Sequence, residues 1–339
     1  MTKLRINLAL QGGGAHGAFT WGLLDRLLQD EDLEIAAISG TSAGALNAAA
    51  LKSGMLAGGS EGARASLDAL WTEVARSSSA GMGQWFGQEL FSPAMLSRAL
   101  ELSPVYAFAD AFNRVTSPYA SGPFYNHPLQ SIVDGLDYGE VCAPEGPDLF
   151  IGATNVRSGK VKVFQGAEIG PDALLASTCL PTLFRAVEIA GEAYWDGGYT
   201  GNPPLFPLFE SDYPEDILII NINPLGRDEV PHTAQEIQNR INEISFNTSL
   251  LRELRAISFV QRLISEGKIE QGAMKWVNVH MIADDALMNE LSVATKTVAI
   301  PSVLDALKGA GQAAADSFLD AHRSDVGKRS SVDLQAMFS

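Results

Sequence analysis

Residues 4–51 read LRINLALQGGGAHGAFTWGLLDRLLQDEDLEIAAISGTSAGALNAAAL, and this stretch decides the fold. Leu4 to Leu10 is rich in Leu, Ile and Ala, as a buried strand requires. Gln11 to Gly14 is a glycine turn, and from Ala15 to Leu28 the apolar residues Phe19, Leu23, Leu24 and Leu27 return at helical spacing. Leu33 to Ser39 reads as a second short strand, Gly40 to Gly44 as a second tight turn, and Ala43 to Leu51 as an alanine-rich helix. Two strand-to-helix units in so short a span predict an α/β protein whose central sheet is mainly parallel and covered by helices.

Working outward, Asp148 to Val156, Lys160 to Phe164, Glu188 to Tyr194, Asp216 to Ile222 and Trp276 to Met281 read as further strands. Helical patterns fill Pro171 to Ser177, Ala234 to Glu266 and Ser302 to Ala321. The segment 77–128 breaks this rhythm with Gly, Pro and aromatic residues. No fixed-period repeat and no low-complexity linker divides the 339 residues. The expectation is therefore one domain, 1–339, with an irregular aromatic-rich insertion at about 77–128 and a helical C-terminal extension over 232–339. Ile237, Ile241, Ile244, Leu251, Leu254 and Ile257 mark an amphipathic helix that lies on the body and is a candidate homodimer seam.

Composition narrows the function. Hydrophobic residues make up 46% and charged residues 19%, enough burial to exclude disorder as the main state. The net charge of −16 repels phosphate backbones, which argues against nucleic acid as a partner, and it offers no polybasic anchor for anionic lipid. Any membrane contact must then be apolar. Cys142 and Cys179 form no C-x-x-C and no His cluster has ligand spacing, so neither a disulfide framework nor a metal site is expected. The apolar run after Lys3 and Arg5 is too short for a signal-peptide core, and the uncharged run Ile35 to Leu51 carries Ser39, Thr41, Ser42 and Asn47. A cytoplasmic protein without a transmembrane span is expected.

Two glycine motifs compete for the chemistry. Gly12-Gly13-Gly14-Ala15-His16-Gly17 fits G-x-G-x-x-G between a strand and a helix, the setting of a dinucleotide site. That reading needs an acid at the end of the second strand to hold the ribose. Asp30, Glu31 and Asp32 all precede that strand, which argues against a nucleotide. In place of the acid stands Gly40-Thr41-Ser42-Ala43-Gly44, a G-x-S-x-G in the setting of a nucleophile elbow. Flanking glycines let neighbouring backbone pass while the serine hydroxyl points outward, and the following helix aims its N-terminal dipole at a developing alkoxide. The plain alternative is a capped strand-to-helix turn. A serine nucleophile also needs an oxyanion site, which the amides of Gly12, Gly13 and Gly14 could supply, and a base. An α/β-hydrolase triad in the order Ser, acid, His leaves His280 or His322, yet that fold runs several strands before its nucleophile and here one precedes Ser42.

The joint presence of Gly12-Gly13-Gly14-x-x-Gly17, Gly40-Thr41-Ser42-Ala43-Gly44 and Asp196-Gly197-Gly198 resembles the patatin-like phospholipase family. Ala176-Ser177 through Pro181 and Phe184, Trp195-Asp196-Gly197-Gly198 and Asn202-Pro203-Pro204 are also similar to it, so the resemblance frames Leu4 to about Pro204. Asn247 to Ala256 and the tail after Leu304 look like a bacterial subgroup. The resemblance implies a three-layer α/β/α fold and lipid acyl hydrolysis, of phospholipase A or carboxylesterase type, by a Ser42–Asp196 dyad without histidine. It also implies an acyl-enzyme and no cofactor. An acyltransferase using the same dyad, or a lipid-binding member without catalysis, keeps the same motifs. His16 departs from the pattern, since many members carry Arg or Lys there.

Taken alone, Asp196 reads as an ordinary Asp-Gly turn. To serve as a base at neutral pH its pKa must rise, which apolar neighbours such as Trp195 would have to bring about. The insertion holds nine of the chain's 27 aromatic residues between Trp85 and Tyr125. They read either as a local core or as a cover over the Ser42 crevice, with residues 85–125 touching micelles or membranes transiently.

Overall fold

A strand sends successive side chains to opposite faces of its sheet, so β1 (Leu4–Leu10) sorts the rest of the chain into layers. Ile6, Leu8 and Leu10 enter one apolar core, while Ala9 enters another. The computed structural model describes residues 3–79, 92–104, 106, 116–120, 125, 127–270 and 272–338. Within these, β1 is joined by β2 (Leu33–Thr41), β3 (Asp148–Asn155), β4 (Val161–Gln165), β5 (Val187–Ile189), β6 (Glu192–Asp196), β7 (Asp216–Asn221) and β8 (Asn278–Ala283). The described strands form one sheet in the order β5-β6-β3-β2-β1-β7-β8, with β4 paired to β3 off that path. The β3-β2-β1-β7-β8 run is parallel, whereas β4 and β6 run antiparallel to β3, and β5 antiparallel to β6.

The first core is closed by α1 (Gly17–Leu27), α2 (Ala43–Ser79) and the helices Pro171–Ser177 and Pro301–His322, through residues such as Phe19, Leu23, Leu174 and Leu307. The second is closed by the helix Ala234–Ser265, whose Leu250, Leu254 and Ile257 lie over Ala9, Ile217, Ile219 and Val279. The sheet is thus sandwiched in the three layers expected. β7 feeds both cores, Leu218 and Ile220 on one side and Ile217 and Ile219 on the other, which is why its sequence is an unbroken apolar run. Fully burying each such aliphatic side chain contributes about 1.5–3 kcal/mol.

Several expectations change in detail. Glu188 to Tyr194, read as one strand, is a hairpin: Ala190 and Gly191 both have positive φ, 51° and 81°, and turn the chain between β5 and β6. Positive φ at both central residues is the twist that suits a two-residue hairpin loop. The helix from Ala43 does not stop at Leu51; it continues to Ser79, interrupted where Gly58 and Gly59 leave helical geometry. The insertion is not irregular throughout, because Ser92 caps a helix over Pro93–Glu101 by accepting from Met95 N, and this helix buries Leu96 and Leu100. Tyr119 and Tyr125 flank the Arg185 guanidinium at 5.6 and 4.8 Å. Trp85, Phe86, Phe91, Phe108, Phe112 and Phe124 lie outside the described residues. The segment 232–339 is not purely helical, since it supplies β8 to the sheet edge. The apolar stripe of the long helix is divided: Leu254 and Ile257 are core, whereas Ile237, Ile241 and Ile244 are exposed. Among the described residues no helix is long and apolar enough to cross a membrane.

Candidate active site

β2 ends at Thr41, α2 begins at Ala43, and Ser42 between them takes φ +54°. A non-glycine residue in the left-handed region stores strain that the surroundings must offset. Here the surroundings are tight. A Cβ on Gly40 would lie 2.7 Å from Gly44 O, one on Gly44 would strike Leu10 O, and one on Gly12 would lie 2.6 Å from Ser42 Cβ. Close approach of backbone, more than turn propensity, therefore requires glycine at these positions. Polar bonds hold the turn from outside. Ser42 N donates to Ser177 Oγ at 2.9 Å, and Ser177 Oγ donates to Gly152 O at 2.7 Å. Thr41 Oγ1 donates to Gly201 O at 2.7 Å, and Ser39 Oγ to Pro204 O at 2.5 Å. Ser42 is 8% exposed.

Asp196 arrives at the same crevice along the sheet. β3 lies between its strand and the elbow strand: Gly152 pairs with Thr41 on one side and the adjoining Ala153 with Asp196 on the other. Asp196 N donates to Cys179 O at 2.7 Å, and its Oδ1 accepts from Gly198 N at 2.8 Å. The residue is fully buried, and Oδ2 has no hydrogen-bond partner among the described residues. Burial pushes the carboxyl up from its ordinary 3.8 to about 7, against the Gly198 amide and the Ser42 hydroxyl, which both favour the anion. The Ser42 hydroxyl thus acts on the carboxyl without completing a hydrogen bond to Oδ2. Trp195 is not the main cause of this desolvation. Alternation along β6 sends it to the opposite face, where it is partly exposed.

The three glycines of the first loop differ in what their amides do. Gly12 N donates to Asn202 Oδ1 at 2.7 Å and is engaged. The amides of Gly13 and Gly14 have no partner among the described residues. Gly14 has φ +60°, and Lys296 O closes the space a Cβ would need. Beneath the loop lies a polar network that sequence reasoning did not anticipate. Gln11 Oε1 accepts from Ile222 N and from Asn223 N and Nδ2, while Gln11 Nε2 donates to Asn247 Oδ1. Asn223 Nδ2 also donates to Gly12 O at 2.7 Å, and Asn223 Oδ1 accepts from Lys296 Nζ at 2.9 Å. The one signal in the sequence was position: Gln11 directly precedes the glycines, and Asn221 and Asn223 sit at the end of the strand next to β1.

The histidines are employed elsewhere. His280 is buried on β8 with Nε2 2.9 Å from Asp216 Oδ1, at the start of β7 and so at the end of the parallel strands away from Ser42. His322 pairs with Asp325 at the end of its own helix. His16 is buried against Thr295 Oγ1 at 2.8 Å, and burial, then the Lys296 charge, keeps it well below its usual pKa and neutral. Cys179 is buried with its thiol pushed up to about 12 by desolvation, then by the Asp196 charge. Among the described residues no group of His, Cys, Asp and Glu could hold a metal ion.

The sequence model of the family described as "Patatin-like phospholipase" matches residues 8–209, a span running from β1 past Asn202-Pro203-Pro204. No curated protein matches the chain in sequence. Among solved structures, VipD from Legionella pneumophila aligns with a TM-score of 0.45 at 15% identity, over 94% of this chain and 67% of that one. Full-length ExoU with SpcU, from the type III secretion system of Pseudomonas aeruginosa, gives 0.32 at 14% identity, over 94% and 54%. The heterodimeric ExoU–SpcU complex gives 0.33 at 19%, over 95% and 62%, so the chain spans about half to two thirds of these structures. With the family's sequence model matching well over half of the chain, and a three-layer α/β/α sheet beneath it, the protein belongs to the patatin-like phospholipase family.

Proposed function

We propose that the chain hydrolyses fatty acyl esters of lipids, with Ser42 as nucleophile and Asp196 as general base. The observation that carries this reading is the buried Asp196 carboxyl near pKa 7, with one oxygen unpartnered and the Ser42 hydroxyl acting on it. A base is most useful when its pKa lies near the working pH. Ser42 Oγ attacks the ester carbonyl as its proton passes to Asp196. The tetrahedral oxyanion accepts from the amides of Gly13 and Gly14, each such donor being worth about 2.7–4 kcal/mol of barrier. Gly12 contributes by letting the loop approach Ser42. Collapse breaks the ester C–O bond and the leaving alkoxide takes the proton back from Asp196, leaving an acyl-Ser42. Water then attacks, gives its proton to Asp196, and collapse releases the fatty acid as Ser42 recovers its hydrogen. An alcohol in place of water would make the same residues an acyltransferase.

On this reading residues 4–204 carry the machinery and 85–125 meet aggregated lipid. With net charge −16 that contact must be apolar and little affected by salt. The decisive measurement is fatty acid release from p-nitrophenyl esters, phospholipids and lysophospholipids, with and without an added alcohol acceptor. Wild type should turn over at least one class and should be labelled by a fluorophosphonate, while Ser42→Ala does neither. Equal turnover or equal labelling in Ser42→Ala overturns the assignment.

A further inference from the structure

The cation nearest in bonding to the glycine loop lies more than 250 residues away in sequence. Lys296, in the short helix Val293–Thr297, donates from Nζ to Asn223 Oδ1, and Asn223 Nδ2 donates to Gly12 O. Gly12 C=O and Gly13 N–H are two ends of one peptide unit. Drawing electron density toward the carbonyl oxygen makes the N–H a stronger donor, and a charged group at the head of such a chain strengthens every bond along it. The same helix touches the loop twice more: Thr295 Oγ1 meets His16, and Lys296 O closes over Gly14. His16 is neutral and supplies no charge. From these contacts we infer that Lys296 is a positioning and polarising residue for the oxyanion loop, its ammonium acting through Asn223 on the Gly12–Gly13 peptide. The inference rests on the Ser42–Asp196 reading for its catalytic consequence, though not for its physical content.

Lys296 is well placed to be switched by pH. Burial of its amine lowers the pKa to about 8, Glu243 opposing the fall and Arg227 adding to it. The titratable and charged groups around it come from three elements: the neutral His16 from the loop, Glu243 with its partner Arg240 from the long helix, and Arg227 from the segment after β7. The helix Pro93–Glu101 meets this element through Ser97, which accepts from Ser292 N and does not titrate in this range. The ammonium is present below about pH 8 and lost above it, so its support of the loop is lost in the same direction. Asp196 must be ionised, which requires pH above about 7. The rate should therefore describe a narrow bell.

The test has one arm without substrate. In protein labelled with 15N-glycine, with Gly13 assigned by comparison with Gly13→Ala, the Gly13 amide should titrate with a midpoint near 8, and Lys296→Met should abolish that titration. The second arm is kinetic. Lys296→Met should lower kcat about tenfold with KM unchanged, less than removal of a donor outright, and should lose the alkaline fall. Lys296→Arg, charged throughout, should retain the rate and move that fall beyond pH 9. A Gly13 amide that is flat from pH 6 to 10, or that titrates alike in Lys296→Met, overturns the inference whatever the enzyme does. A titrating amide with unchanged kcat in Lys296→Met overturns its catalytic part alone. Full hydrolysis by Ser42→Ala would remove the dyad and leave the amide result standing.

Discussion

Replacing Asp196 by Asn should make the protein inactive and, above pH 7, more stable. In the unfolded chain the carboxyl titrates near its ordinary 3.8, in the folded one near 7. Between those values the folded state holds a proton that the unfolded state has lost, so stability falls as pH rises through this window and levels off above it. At about 1.4 kcal/mol per pH unit, the displacement caps the cost of the buried anion at about 4 kcal/mol. Asn keeps an oxygen for Gly198 N but sets an NH2 where Oδ2 has no hydrogen-bond partner, a burial that costs about 1–3 kcal/mol. A net gain of about 1–3 kcal/mol remains at pH 8.5, which for a chain of this size is a rise of about 1–4 °C in Tm. At pH 4.5, where the native carboxyl is already protonated, the gain should vanish. Calorimetry of both proteins at the two pH values, with esterase assays alongside, reads both effects. The expected activity loss is at least about a hundredfold, the lower end for loss of a general base. An Asn variant no more stable than wild type at pH 8.5 would refute the argument that burial, and not some other contact, sets the carboxyl's pKa.

The histidine variants separate dyad from triad: His280→Ala should lose stability, because the buried Asp216 carboxylate is left with the Gly327 amide as its one donor among the described residues, while folded His280→Ala and His322→Ala keep kcat within a few fold. A folded histidine variant without activity would favour the α/β-hydrolase triad. Gly44→Ala should fail to fold or lose several kcal/mol by thermal denaturation, because its Cβ meets the Leu10 carbonyl in a site with no room to relax; a wild-type Tm would show that the elbow is looser than described. Replacing Trp85 and Phe86 together by Ser should lower turnover of vesicular lipid far more than of a short soluble ester, with Tm nearly unchanged. Equal loss on both substrates would make them core.

The fold was legible where one strand faced one core in a repeating way. Leu4–Leu10 and Pro171–Ser177 have the bounds their patterns predict, and β7 declares its double burial by an unbroken apolar run. It was less legible where a single backbone conformation reverses the chain. Ala190 adopts φ 51°, which no apolar alternation encodes, so a hairpin read as one strand. The long helix shows the complementary limit: its buried face runs through Asn239, Glu243, Asn247, Leu250, Leu254 and Ile257, whereas Ile237, Ile241 and Ile244 lie on another face and are exposed. Apolar spacing marks the buried face only where the body it meets is apolar, and in the first half of this helix the contact is polar.

The site divides in the same manner. Ser42, the glycines around it and Asp196 announce themselves because turn geometry restricts each position to very few residue types. The residues that tune them come from places linked only by the fold. Ser177 ends one helix, Asn202 follows the Asp-Gly turn, Asn223 follows β7, and Lys296 sits past β8. Each is an ordinary polar residue in its own neighbourhood, and becomes informative only once buried, where an unpaired amide or ammonium would be costly. Asp196 itself gives the sharpest case. The sequence pointed to apolar neighbours such as Trp195 to raise its pKa, because adjacent residues are adjacent in a string. In a strand they are the two farthest apart in direction, and Trp195 is partly exposed on the face opposite the buried carboxyl. A side chain on the far face does not enclose the carboxyl. Substitutions at Trp195 should therefore leave the acidic limb of the pH–rate profile near 7, and a displacement of that limb by a full pH unit in Trp195→Ala would return the tuning to the indole.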